Sequence, residues 1–536
     1  TGWQADRSLP ATRGYIDAAL GSWLNSNLSA GYRILTGPAT TLGVRLQHNS
    51  TSLWSAETPA GSKPCRRYVY DETLGADFSH GFKGAGRLTA SAQYHLRCFN
   101  YYATLPYWHH DTAEDQQHDT DFKAPTQTLN DVSLRLGWTP ESRGAFGWNL
   151  GTAYRHFGYR ALYLPVADGG LEHRKGAREN HIALSSDLSL TTSATRQADM
   201  GVRLDGVFED GGDRWLGQLS LTPGYGTTTG NLSWRIGAEI DFTAHARSTE
   251  KGFPVFHIAP DLRASYTSGL ITLFASASGG NTLQTLASRQ VYDPYGVPEV
   301  YSLSPSYSPI DGKIGVTLNP AGGLRITVDA GYKVQNNVEL GGWYQALLNR
   351  GAGLPGGIGE TAGLMFMYNH EGVRLHGGRV GLEAEYDDGR ILSIRGALSW
   401  QPQKGRLGWF NGYDRPRWLG RIGVSARPVS PLRIEASLDW RGSRCIYTYG
   451  AAEAPDVATP PGGVIINGGE GDAERYPLIG EKLGDIVDLR LGASWQLTKG
   501  LSVRAEAFNL LNRHTEMLPG LPSEGVCIAG GVTWEF

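Results

Sequence analysis

The densest group of reactive side chains lies near residue 110. His109, His110 and His118 share thirteen residues with Asp111, Glu114, Asp115, Asp119 and Asp121. Imidazole with carboxylate can hold a divalent transition metal, and carboxylates alone can hold calcium. His109, His110, Asp111, His118 and Asp119 are the set such a site would use. The alternative is a loop facing water, because no ligand spacing repeats along the run. A second group is aromatic: Trp54, Trp108, Trp343, Tyr344 and Trp409. Such rings stack on a sugar or flat ligand, seal a loop against a partner protein, or simply pack within their own loop.

Charged side chains form the third group: Arg379, Glu383, Glu385, Arg395, Arg433, Glu435, Asp439, Arg441, Asp488, Arg490, Arg504 and Glu506. All fall on the same side of segments that alternate polar and apolar. Opposite charges on neighbouring strands would neutralise one another; the other reading is contact with a plug or a solute. The chain has four cysteines, Cys65, Cys98, Cys445 and Cys527, with no CxxC. An exported protein meets an oxidising compartment, so Cys65–Cys98 and Cys445–Cys527 bridges are the expectation, with four free thiols as the alternative. A hairpin turning at Gly84–Ala85 would set Cys98 opposite about Asp71. No HExxH, GxSxG or P-loop is present, so neither catalysis nor a cofactor is expected.

Something must position these groups, and period-two alternation says what. In Leu432–Arg441, Leu432, Ile434, Ala436, Leu438 and Trp440 share one face, while Arg433, Glu435, Ser437, Asp439 and Arg441 share the other. Val487–Trp495, Leu392–Trp400, Val380–Tyr386 and Val526–Phe536 repeat the pattern, which reads as strands with one apolar and one polar side. The apolar face often ends in an aromatic, as at Trp400, Trp440, Trp495 and Trp534, the mark of a membrane-interface girdle.

Composition agrees. Glycine is 72 of 536 residues and charged residues are 19%, which favours turns and strands over helices. A net charge of −3 excludes a strongly basic nucleic-acid binder. Mean hydropathy is −0.31, yet an alternating barrel averages low while still crossing a membrane. The expected fold is therefore all-β: a transmembrane antiparallel β-barrel of about 22 strands. Segments such as 85–103, 363–386, 432–447 and 501–511 are single strands in this scheme, and short turns alternate with long loops. Residues 1–12 are a periplasmic lead-in and 13–536 the barrel, placed in a bacterial outer membrane with its lipid as the first partner.

The C-terminal region resembles a known family. Ala505–Arg513, reading AEAFNLLNR, looks like the NLxN box on the penultimate strand of TonB-dependent outer-membrane receptors. Pro519-Gly520 and a final strand ending in Phe536 follow it as in that family. Arg13–Gly21 and Leu28–Ile34 look like its first barrel strands. The resemblance implies uptake of a scarce ligand. The family sets a globular plug before the barrel, whereas twelve residues precede the first strand here. With a plug upstream, energised transport through TonB is expected. Without one, the expectation is a non-transporting structural subunit of an outer-membrane assembly or export complex. A surface lipoprotein or other envelope proteins would then dock on its extracellular loops.

Overall fold

The computed structural model describes residues 12–55, 65–100, 126–141, 144–165, 171–209, 214–247, 250–251, 255–292, 304–338, 341–344, 365–368, 373–405, 408–410, 415–449, 464–465, 475–476, 478–518 and 521–536. Alternating segments become strands because a pleated backbone sends successive side chains to opposite faces. Twenty-two of them form the barrel wall. The first eleven are β1 (Gly14–Gly21), β2 (Ser26–Thr36), β3 (Thr40–Ser55), β4 (Cys65–Phe82), β5 (Gly86–Asn100), β6 (Thr126–Pro140), β7 (Leu150–Tyr159), β8 (Arg178–Ser193), β9 (Arg196–Glu209), β10 (Arg214–Thr229) and β11 (Leu232–Arg247). The rest are β12 (Val255–Ser268), β13 (Ile271–Thr282), β14 (Ser306–Ala321), β15 (Leu324–Val338), β16 (Val373–Asp387), β17 (Leu392–Trp400), β18 (Trp418–Val429), β19 (Leu432–Arg441), β20 (Ile486–Gln496), β21 (Leu501–Phe508) and β22 (Cys527–Glu535).

Each strand pairs antiparallel with the next, and β1 pairs with β22 from Tyr15↔Glu535 to Gly21↔Ala529. The sheet is closed, so no edge is left unpaired in lipid. Among the described residues no helix is long and apolar enough to cross a membrane. The transmembrane element is the barrel.

Following the register around the ring gives one consistent inside and outside. Ile434, Leu438 and Leu489 face out, while Arg433, Asp439, Asp488 and Arg490 face in. Two outward aromatic belts bound the apolar band. At the end away from the chain termini, Trp418 lies 6.2 Å from Trp400 and 6.3 Å from Trp440, ring centre to ring centre. At the terminal end, Phe82 meets Trp138 at 5.7 Å and Trp534 meets Phe536 at 4.7 Å. Trp440 and the Leu432↔Trp495 pair stand eight residues apart, about 26 Å along a strand. That is close to the apolar band of about 25 Å that such barrels present to lipid.

Two expected strands are split. Met365–Tyr368 pairs with Gly341–Tyr344 in a small outer sheet, and only 373–386 of the expected 363–386 segment lies in the wall. The segment expected at 432–447 ends in the wall at Arg441, and Arg444–Tyr449 joins that outer sheet. These pieces stand above the barrel rim, where no lipid-facing ladder continues them.

Candidate functional site

The polar lumen and its outer mouth are the candidate site. Lumen charges meet both across neighbouring strands and between residues two apart on one strand, because such positions share a face within side-chain reach. Arg395 Nε lies 2.8 Å from Glu385, and Arg433 Nη2 lies 2.5 Å from Glu435. Arg421 pairs with Asp439 at 2.5 Å, and Arg490 with Asp488 at 2.5 Å. Arg504 bridges Asp17 and Glu506 at 2.5 and 3.0 Å, tying β21 to β1 across the barrel's closing seam. Arg379 reaches Asp329 at 3.8 Å. Glu383 and Arg441 project from the same lumen face, opposite Ala397 and Leu419 respectively. Mutual neutralisation thus accounts for most of the charges singled out in the sequence. Asp241, with no exposed surface, is satisfied by neutral donors instead: Ser220 Oγ donates to it at 2.5 Å and the Asn281 N–H at 2.8 Å.

The mouth holds a feature not expected from the sequence. The segment after β13 carries a helix of about two turns, α1 (Leu286–Tyr292), folded inward against the far wall. Leu286 and Ala287 pack on Phe99, Leu129, Phe157, Tyr159 and Ala177, which belong to β5, β6, β7 and the approach to β8. Leu283 packs on Val207 and Leu216 of β9 and β10. The strap therefore runs along the inner wall past eight strands.

Its start is capped reciprocally. The Ser288 N–H donates to Thr285 Oγ1 at 3.1 Å and the Thr285 N–H to Ser288 Oγ at 2.9 Å, a short version of the capping box. The Leu286 N–H donates to the buried Glu179 carboxylate at 2.6 Å. Asn337 bolts both ends of the loop: its carbonyl accepts Gln284 Nε2 at 2.7 Å, and its Nδ2 donates to Pro305 O at 2.9 Å and Ser304 O at 3.2 Å. Its φ of 55° is a left-handed conformation that Asn tolerates better than most residues.

A signal for the strap was present in the sequence. Phe99, Leu129 and Phe157 occupy lumen-side positions at the outer ends of their strands, where the pattern elsewhere is polar. Apolar residues on the polar face ask for a cover, and α1 supplies it.

The remaining expected groups are placed as follows. His109, His110, Asp111, His118, Asp119 and Trp108 lie outside the described residues. Trp54 falls at the outer end of β3. Trp343 and Tyr344 lie in the outer strand 341–344, which pairs in parallel with 444–449. Trp409 lies in a short strand, 408–410, paired with 403–405. The four fall on three different segments, Trp343 and Tyr344 sharing one strand.

The thiols of Cys98, Cys445 and Cys527 are free, in place of the expected Cys65–Cys98 and Cys445–Cys527 bridges. Cys98 stands opposite Tyr70, one residue from the expected register. Cys65 is five residues from Tyr70, about 17 Å along the strand, and a disulfide needs Cα atoms within about 7 Å. Cys445 belongs to the outer sheet opposite Lys482, while Cys527 sits in the wall and accepts Asn25 Nδ2 at 3.1 Å.

The NLxN box is not part of the penultimate strand, which ends at Phe508. It is the turn that follows. Asn509 and Asn512 have φ of 48° and 49°. Asn509 Nδ2 donates to Arg513 O and Glu524 O at 2.9 and 2.6 Å, and its Oδ1 accepts the Arg513 N–H at 3.1 Å. Asn512 Oδ1 accepts the Val526 N–H at 3.2 Å. The box closes the last outer loop onto itself.

Neither the protein-family models nor the curated proteins contain a match to this chain. Solved structures do share its fold. The siderophore receptor PirA from Acinetobacter baumannii superposes with a TM-score of 0.70 at 10% identity, covering 99% of this chain and 81% of that one. The pyoverdine outer-membrane receptor FpvA from Pseudomonas aeruginosa gives 0.68 at 12% identity, covering 99% and 79%. The FrpB iron transporter from Neisseria meningitidis gives 0.67 at 10% identity, covering 98% and 81%. The barrel expected from the resemblance to TonB-dependent receptors is the barrel found.

Proposed function

We propose that this chain is the barrel of a bacterial outer-membrane transporter that takes up a scarce ligand through its lumen. One observation carries the reading. A closed 22-strand wall, apolar outside between two aromatic belts, encloses a charge-paired lumen whose outer mouth is lined by an inward-folded strap. Barrels of about this size hold a plugged lumen rather than a narrow side-chain core. The shared fold with proteins named as a siderophore receptor and an iron transporter supports an iron chelate as the ligand. TonB is the partner on this reading wherever a plug domain accompanies the barrel.

The test is transport in the native cell. A deletion strain and its complemented parent are compared for uptake of radiolabelled ferric chelates, with and without a protonophore. Loss of uptake of one chelate in the deletion, and its abolition by the protonophore, is the expected result. Unimpaired uptake across the panel, with the chain purifying at fixed ratio with other envelope proteins, would replace transport by the structural-subunit reading.

A further inference from the structure

The lumen ion pairs are not symmetric in depth. In three clusters between β14 and β19 the carboxylate lies closer to the wall than its cation, whereas the Lys333–Asp311 pair is even at 44% and 43% exposed. The Asp329 side chain is 1% exposed while its partners Lys313 and Arg379 are 37% and 46% exposed. Arg395 and Arg421 are 72% and 71% exposed, against 41% and 25% for Glu385 and Asp439. On the opposite side of the barrel the Arg45–Asp77 pair is arranged the other way, with the carboxylate more exposed. Along β14 to β18 ammonium and guanidinium groups stand forward of most of their carboxylate partners, while Asp311, Glu383 and Glu385 also reach the lumen surface.

The register arranges these cations in order of depth. Lys313 and Arg379 flank Gly331 in one row across three strands, Lys313↔Gly331↔Arg379. Gly331 has no side chain to fill the space between them. Neither Asp329 oxygen has a hydrogen-bond partner, and the two cations stand 3.5 and 3.8 Å away, farther than in the 2.5 Å Arg421–Asp439 pair. Their donors therefore remain largely uncommitted. The Lys313 ammonium is also steadied 5.5 Å from the centre of the Phe274 ring. Arg421 lies in the row of Glu383, four residues nearer the terminal end than Arg379, and Arg395 in the row of Glu385, two residues further.

We propose that Lys313, Arg379, Arg421 and Arg395 form a cationic track down one wall of the lumen that binds multiply charged oxyanions. Guanidinium groups match planar oxyanion geometry with paired donors, and a confined low-dielectric wall strengthens each contact. The inference needs an aqueous lumen but not energised uptake. Failure of transport in cells leaves it standing, and it fails by its own readouts.

Those readouts use inorganic tripolyphosphate as the probe and the detergent-solubilised full chain. Calorimetry is expected to show binding that weakens at least tenfold in Lys313→Gln/Arg379→Gln and in Arg395→Gln/Arg421→Gln. The Arg395→Lys/Arg421→Lys variant should keep most of it. Independently of any variant, tripolyphosphate should protect Arg379, Arg395 and Arg421 from phenylglyoxal, mapped by peptide mass spectrometry. No binding by the native chain, no protection of these arginines, or equal affinity for spermidine would overturn the track.

Discussion

The backbone N–H of Leu286 donates to the carboxylate of Glu179 at 2.6 Å, although 107 residues separate them. This bond fastens the strap to the far wall of the barrel mouth beside the apolar contacts of Leu286 and Ala287. The carboxylate is 1% exposed, so it makes a strong anchor only while the N–H is there to satisfy it. Glu179→Ala should weaken the docked strap by about 1.5–3 kcal/mol, the range for a hydrogen bond to a charged group. Amide exchange at Leu286–Ser288 should accelerate while exchange in the wall strands stays the same. Unchanged exchange at these amides would mean that the apolar contacts with Phe99, Leu129 and Phe157 hold the strap alone.

The inside and outside of the wall can be tested on one strand. Leu489 faces lipid opposite Leu438, whereas Gly492 faces the lumen between Glu435 and Glu506. Leu489→Arg should cost about 2–4 kcal/mol near the bilayer midplane. Gly492→Arg should be tolerated, because a Cβ there meets its nearest neighbour at 3.8 Å and the guanidinium enters a pair of carboxylates. Denaturant unfolding in liposomes compares the two. Equal stability of both variants would reverse the assignment of faces.

The turn after β21 depends on Asn509. Asn509→Ala removes three hydrogen bonds and places alanine in a left-handed backbone conformation. A loss of about 2 kcal/mol or more is expected. Asn509→Gly should recover the conformational part and not the hydrogen bonds. Heat-modifiable mobility on gels reports the stability of the barrel in each case. Equal mobility shifts for wild type and Asn509→Ala would show that the box does not brace the last loop.

The short turn after β16 should be sensitive to acid. Asp388 Oδ1 accepts the N–H groups of Leu392, Arg390 and Ile391 at 3.0, 2.8 and 2.7 Å. These bonds, that from Leu392 foremost, hold its carboxyl below the usual carboxylate range. A group with a lowered folded-state pKa adds its stability above the unfolded value, about 3.9, and loses it as pH falls through the folded value. Carboxyl NMR should therefore show Asp388 titrating below free aspartate, and the turn amides should exchange faster only in that acid window. Asp388→Asn should remove the dependence. A titration at or above the free value would contradict the three-bond arrangement.

Thiol chemistry should find Cys98, Cys445 and Cys527 reduced. Alkylation of the unfolded chain without prior reduction should label all three, read by peptide mass. A Cys98 peptide that stays unlabelled until a reductant is added would require a register other than Tyr70↔Cys98.

Alternation by itself located the wall strands and the common face of the charges it singled out, because the period of a pleated strand is two and does not depend on its neighbours. Each of the 22 wall strands overlaps a segment legible in the sequence, although the one expected at 432–447 leaves the wall at Arg441. Neighbours are another matter. Which carboxylate meets Arg504 depends on barrel closure, and Asp17 lies 487 residues away in sequence. Whether Cys98 faces Tyr70 or Asp71 depends on a single residue in the hairpin turn. The strap was decided only by tertiary structure: Leu286 and Ala287 read as loop residues until the closed wall brings Phe99, Leu129 and Phe157 together as a surface that must be covered. The depth of each charge was likewise set by packing, since burial belongs to the assembled wall and to no single strand.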